Sequence, residues 1–366
     1  MTSDTSTGGP LHGLRVVEFA GLGPAPFACM LLADMGADVV TIDRPGKRLG
    51  DPTNIVGRGR RTAVADLKDA ADRDKVKTLL AGADVLVEGF RPGVMERLGL
   101  GPDDLHAGLI YSRMTGWGQT GPLAQQAGHD INYIALTGAL HAIGPREGPP
   151  VPPLNLIGDY GGGSLYLVVG ILAALLERQR SGKGQVVDAA ITDGTLSLMT
   201  HFFASALRGT HTEQRGTNLL DGGAPFYGVY ETADQRYVSV GPIEPPFFAI
   251  LCEKLEIDIA LRDAQSDRSR WPQLRRSMEQ AFRRRTRNEW MVMLENTDAC
   301  VTPVLALSEV SAHPHHIARG AFVEIEGLIQ PAPAPRFSRT ASSVRHGVPS
   351  ATTELAAVCL EWAAPR

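Results

Sequence analysis

A chain of 366 residues, 43% hydrophobic and 21% charged, has the composition of an ordinary globular protein and a length that calls for two domains. Its net charge of −4 excludes a nucleic-acid binder whose affinity comes from a basic face. Cys29, Cys252, Cys300 and Cys359 lie far apart with no CxxC pair, so neither a zinc site nor a disulfide framework is expected.

Residues 1–10 are polar, unlike a secretory leader, and the terminal Ala-Ala-Pro-Arg is not a Ser-Lys-Leu address. The longest apolar run, 165–176, falls short of the roughly 20 residues a bilayer requires. These features predict a cytoplasmic protein without membrane or nucleic-acid partners.

Arg15-Val-Val-Glu-Phe-Ala20 is a short apolar run ended by glycine and proline, which predicts a buried strand. Helical spacing follows over 27–35 and stops at Gly36. Further strands are predicted at 38–43, 62–67, 84–88 and 109–113, with an amphipathic helix over 72–80. A helix-like stretch at 131–140, a long apolar helix over 165–179 and a strand at 185–190 complete this half. Strands alternating with helices predict a parallel α/β sheet. Beyond Gly194 the pattern becomes α+β: helix 201–207, glycine-rich loop 215–226, a hairpin over 226–240, and helices at 245–255, 271–283 and 288–295. The predicted division is a large domain over 1–190, a linker over 191–227 and a small domain over 228–313. A second linker at 314–332 leads to a C-terminal return, 333–366, with a final helix over 353–362.

Several stretches carry candidate chemistry. Gly21-Leu-Gly23-Pro-Ala-Pro26 follows a strand, but it lacks the third glycine of a dinucleotide fingerprint, and Pro24 and Pro26 remove N–H donors. The stretch reads instead as a ligand-facing loop. Arg44, Arg58, Arg60, Arg61, Lys68 and Arg91 lie in loops beside strand ends, where several cations suit a ligand with several phosphates; singly, each also suits a solvated rim. His129 precedes a helix, a position that favours a neutral base or a structural histidine. Asp130 reads first as an N-terminal charge of that helix. Asp159 precedes Gly161, Gly162 and Gly163 and reads as an N-cap or as an acid/base group; the glycines permit close approach of a ligand to backbone donors of an oxyanion hole. Glu244, between prolines, is either a loop carboxylate or one that orients an imidazole. No metal site is expected.

Taken together, Arg15-Val-Val-Glu-Phe-Ala20, Ile42-Asp-Arg-Pro45, Ala65-Asp-Leu-Lys68, Glu88-Gly-Phe-Arg-Pro-Gly-Val94, Met114-Thr-Gly-Trp-Gly-Gln-Thr-Gly-Pro122, Gly128-His-Asp-Ile-Asn-Tyr133, Asn155-Leu-Ile-Gly-Asp-Tyr160 and Asp221-Gly-Gly-Ala-Pro225 resemble the family III CoA-transferases, the CaiB/BaiF type. The resemblance is closer to their α-methylacyl-CoA racemase branch and covers nearly the whole chain. It implies a Rossmann-like large domain with a smaller α+β domain, and a homodimer of interlinked chains. It implies His129 and Asp159 as the acid/base pair, with Glu244 as the carboxylate near the histidine. CoA contacts map onto Arg44, Ala65, Leu67, Lys68, Gly89, Phe90 and Arg91, and onto Asp130 and Tyr133. Phe90 departs from relatives that carry Tyr. The implied reaction interconverts (2R)- and (2S)-2-methylacyl-CoA through an enolate without a cofactor, CoA being part of the substrate. Two rivals stand beside it: CoA transfer through an acyl anhydride on Asp159, and a CoA-binding regulator without catalysis. The acyl group is open. Met199, Phe202, Phe203, Phe226, Tyr227, Phe247 and Phe248 are candidate lining, and each also suits a core.

Overall fold

The computed structural model describes residues 8–47 and 49–364; the leader and address readings fall in part on residues 1–7 and 365–366, outside the described residues. Contacts divide the chain into two compact units, Met1–Thr137 with Leu154–Met199 and Pro314–Arg366, and Gly138–Pro153 with Thr200–His313. Residues 138–153 thus group with the second unit, where the sequence places them in the large domain, and so do 200–227, expected as linker.

The first unit is built on a six-stranded sheet in the order β3-β2-β1-β4-β5-β6, parallel throughout. Its strands are β1 (Arg15–Phe19), β2 (Asp38–Asp43), β3 (Arg61–Val64), β4 (Val85–Glu88), β5 (Ile110–Thr115) and β6 (Val186–Ala190). Helices α1 (Pro24–Asp34), α2 (Ala70–Ala81), α3 (Val94–Arg97) and α4 (Asp130–Ala135) join them. The chain leaves β3 and returns as β4 on the far side of β1, so the strand order reverses between β1 and β4. At such a point in an open α/β sheet, a crevice opens beyond the carboxyl ends of the strands. Apolar runs bury the strands on both faces. One core gathers Val16, Cys29, Leu32, Val85 and Ile171. The other gathers Val17, Val40, Leu79 and Leu86 with Val358 and Trp362 of the last helix, Leu355–Ala363.

Three of the expected phosphate ligands sit elsewhere. Residues 58–61 lead into the amino end of β3, the opposite edge of a parallel sheet from the crevice. Arg58 is buried and donates to Asp34 Oδ2 at 2.6 Å and Gln330 Oε1 at 2.9 Å. Arg60 pairs with the buried Glu18 of β1, and Arg61 with Asp38 at 2.5 Å and Glu361 at 2.6 Å. Their charges are spent inside the fold.

The apolar stretch after Asn155 is also longer than periodicity indicates. A π-helix, Leu156–Leu165, runs directly into an α-helix, Tyr166–Ser181. The 26 residues are long and apolar enough, by length and composition, to cross a membrane. Here the helix packs on the sheet instead, with Leu167, Val168, Ile171 and Ala174 in the core. The glycines inside it serve packing. A Cβ on Gly162 would lie 2.4 Å from Thr195 Oγ1 and 2.8 Å from the Thr195 backbone nitrogen, on the helix Ile191–Leu198. A Cβ on Gly163 would lie 3.0 Å from Pro24. Close approach is the reason for these glycines, as expected, and within the chain the approaching groups are Thr195 and Pro24.

The second unit has a three-stranded antiparallel sheet, Gly228–Glu231, Tyr237–Val240 and Val301–Pro303, in that order. Helices Pro245–Leu255, Trp271–Phe282 and Arg287–Leu294 cover it. Phe226 and Phe248 belong to its core and not to an acyl surface, whereas Phe203 and Tyr227 are exposed. Replacing Gly162 by Ala should destabilise the chain by about 1–3 kcal/mol, an overpacking cost read by chemical denaturation; an unchanged midpoint would contradict the helix contact.

Candidate functional site

Three parallel strands of the first unit end on loops that carry candidate residues. Arg44 follows β2 directly; Ala65, Leu67 and Lys68 follow β3; Gly89, Phe90 and Arg91 follow β4. Arg44, Lys68 and Arg91 are exposed, while Ala65 is buried and Leu67 and Phe90 pack against the second core. The Phe90 ring lies 6.0 Å from that of Phe19 at the end of β1. The rim therefore offers the exposed cations Arg44, Lys68 and Arg91 on an apolar footing.

The centre of the crevice lies between three segments. The first is the β1–α1 loop. Gly23 has φ 71°, open to glycine at little cost, and a Cβ there would lie 2.9 Å from Asp159 Oδ2. Pro24 and Pro26 occupy the first turn of α1, and Phe27 stacks on Tyr160 at 4.3 Å. The dinucleotide-like loop is thus a wall of the crevice beside Asp159.

The second segment is the loop into α4. His129 is the N-cap of that helix, exposed, with its backbone N–H donated to Asn132 Oδ1 at 3.0 Å. The expected helix over 131–140 is instead a short one that ends before Gly138, where φ is 82°. Tyr133 fixes the loop from below. Its hydroxyl donates to Gly128 O at 2.5 Å and its ring meets Trp117 edge-on at 4.8 Å. A Cβ on Gly116 would overlap that ring.

The third segment is the start of the π-helix. Asp159 lies in its first turn, whereas the N-cap is Asn155. The capping role expected of Asp159 is therefore not its place in the helix. π-Turns are rare and concentrate at functional sites. The free N–H groups of this helix end are met by Asp130: its Oδ1 accepts the N–H of Asp159 at 2.7 Å, and the N–H of Gly158 also points to its carboxylate. A Cβ on Gly158 would lie 2.2 Å from Asp130 Oδ1, so only glycine lets the carboxylate in. Asp130 thus joins the histidine loop to the π-helix. Its polar atoms, like the Tyr133 hydroxyl, are engaged within the chain.

Burial raises the Asp159 carboxyl above its ordinary value; the Asn155 amide, 3.4 Å away, opposes this, the Asp130 charge adds to it, and His129 opposes it. Burial likewise raises Asp130, against the two N–H groups that it accepts. Burial and the Asp159 charge raise the Tyr133 phenol. A carboxyl whose pKa is raised beside an imidazole is a candidate for both giving and taking a proton. Asn155 was not singled out for the site from the sequence, whereas Gly23 lies in the stretch read there as a ligand-facing loop. The four-residue spacing of Asn155 to Asp159 is the signal that places the amide on the carboxylate.

Glu244 lies in the second unit as the N-cap of Pro245–Leu255, exposed, with Pro245 and Pro246 beginning the helix. Among the described residues no group of His, Cys, Asp and Glu is arranged to hold a metal ion.

The model of CoA-transferase family III matches residues 11–353. The chain belongs to this family. Family III relatives include alpha-methylacyl-CoA racemase of Mus musculus, 45% identical over 90% of this chain and 87% of that protein. The racemase of Homo sapiens is 43% identical with the same coverage. A solved CAIB/BAIF family protein from Brucella suis superposes with a TM-score of 0.82 at 25% identity, over 97% of this chain and 100% of that one. The family III fold expected from the motifs is therefore the fold observed.

Because Asp130 joins two segments, Asp130→Ala should cost about 1–3 kcal/mol through unsatisfied donors. Hydrogen exchange should quicken at Gly158 and Asp159; retained protection there would rule out the cap.

Proposed function

We propose that this protein is a racemase of 2-methylacyl-CoA thioesters. The observation that carries the reading is the junction at Asp130, which brings His129 and the half-buried carboxyl of Asp159 to the carboxyl end of a parallel sheet. Similarity to proteins named alpha-methylacyl-CoA racemase supports it.

The α-hydrogen of a thioester is weakly acidic, and its removal gathers charge on the thioester oxygen. Neutral His129 takes the proton of one enantiomer, and protonated Asp159 returns one to the opposite face. In the reverse direction Asp159 is the base. No cofactor takes part, since the thioester itself stabilises the carbanion as an enolate. The charge on that oxygen is the main demand on such a site, and one donor to it is worth about 3–4 kcal/mol in comparable sites. Arg44, Lys68 and Arg91 face the CoA phosphates, with Ala65, Leu67, Gly89 and Phe90 beneath the adenosine and pantetheine. Asp130 and Tyr133 support these contacts from within, by holding the histidine loop. The working form is a homodimer in the cytoplasm.

The family description also names CoA transfer, in which Asp159 attacks the thioester carbonyl and no proton leaves the α-carbon. One enantiomer of a 2-methylacyl-CoA, incubated in D₂O without an acceptor acid, distinguishes the two. Deuterium entering C2 with loss of optical purity is expected; CoA exchange only when an acceptor acid is added would replace racemisation by transfer. His129→Ala should slow exchange by about 10²–10⁴-fold, and near-normal exchange would remove His129 from the mechanism. In Asp130→Asn, loss of the neighbouring charge lowers the Asp159 pKa. The pH at which the protonated acid is lost should therefore move down, as read from the pH–rate profile.

A further inference from the structure

Glu88 ends β4, the strand beside the switch point, and only 3% of it is exposed. A buried carboxylate at the end of an otherwise apolar strand is costly unless its lone pairs are used. Its Oε2 accepts the N–H of Phe90 at 2.7 Å, closing the turn over residues 88–90. Its other oxygen faces Arg113 Nε at 3.8 Å, on the β5 residue registered directly opposite. The Arg113 guanidinium is fixed in turn. It donates to Glu96 at 2.5 Å and to Gln119 Oε1 at 2.7 Å, and lies over the Tyr111 ring at 5.0 Å. A Cβ on Gly89 would lie 3.3 Å from Met114 O, so the turn passes close to the end of β5.

We propose that Glu88 is a positioning residue for acyl-CoA: ionised and backed by Arg113, it holds the turn 89–91 through the Phe90 N–H, in the shape that presents Phe90 and Arg91 to the CoA moiety. This rests on the acyl-CoA reading above. The groups facing the carboxylate are Arg113 and Tyr111 on β5, Glu96 on α3 and Asp188 on β6. Burial pushes its pKa up to about 7, against the Phe90 N–H and Arg113 and with help from Glu96 and Asp188. Such a group is about nine-tenths ionised at pH 8 and one-tenth at pH 6. A hydrogen bond to an ionised acceptor is roughly twice as strong as one to a neutral acceptor. Affinity for CoA thereby falls as pH drops through 7.

The test uses the full chain and a non-reactive S-alkyl-CoA thioether, titrated calorimetrically at pH 6 and pH 8, with KM and kcat for α-proton exchange alongside. Glu88→Ala should weaken thioether binding and raise KM about tenfold at pH 8, with kcat kept within about threefold. Glu88→Gln retains an oxygen acceptor but does not titrate. Its affinity should change less than that of the wild type between the two pH values, the CoA phosphates titrating alike in both. Equal pH dependence in wild type and Glu88→Gln overturns the proposal, as does a Glu88→Ala change confined to kcat. If Glu88→Ala fails to fold, the Gln comparison decides. A wild type that does not bind the thioether sinks the acyl-CoA reading and this proposal with it, whereas a binding wild type with an unaffected Gln variant sinks the positioning role only.

Discussion

The N–H groups of Gly158 and Asp159 meet the carboxylate of Asp130, and the crevice takes its shape from that junction. A helix start leaves several N–H groups without partners, and a carboxylate is the strongest acceptor a side chain can offer them. Here the acceptor comes from a segment about thirty residues earlier in the chain, so satisfying a helix end also sets the separation of two functional loops. Asp130 cannot move without moving His129, its neighbour, and Asp159 cannot move without breaking the bond to its own backbone nitrogen. The electrostatic link between the two carboxylates follows from the same placement.

Burial at the junction does a second thing. A carboxyl in water gives up its proton well below neutrality, whereas Asp159 is held higher by burial and by the charge of Asp130. Asn155 and His129 limit the rise. The net direction is upward, which brings the carboxyl closer to the range in which an acid/base group works.

Much of this was legible in the residues. The short apolar runs at β1, β2 and β4 and their turn residues gave the parallel sheet, because buried parallel strands need no alternation. The loops at the carboxyl ends of β2, β3 and β4 then marked the rim. Other features were hidden because they depend on partners distant in sequence. Arg58 and Arg60 look like ligands of an anion until Asp34 and Glu18 are seen beside them. Gly162 looks like a turn residue until Thr195 is seen above it. The grouping of 138–153 with the second unit has no local signal at all. Asp130 was read first as structural, but as a charge of its own helix; its service to a different helix is a tertiary fact.

The π-helical turn has a consequence for how the family can vary. A stretch of π-helix contains one residue more than the α-helix that would span the same rise, so it is in effect an insertion absorbed within a helix. In an ordinary α-helix, loss of a residue turns everything before it by about 100° about the axis. A single-residue deletion between Asp159 and Tyr166 is taken up instead as the wide π-turns tighten toward α-helix, so Asp159 and the sheet-covering part of the helix keep their facing while the glycine contacts with Thr195 and Pro24 are lost. Length is therefore more freely varied in this stretch than in the α-helix after it, whereas substitution at Gly158, Gly162 and Gly163 is limited by the close contacts there.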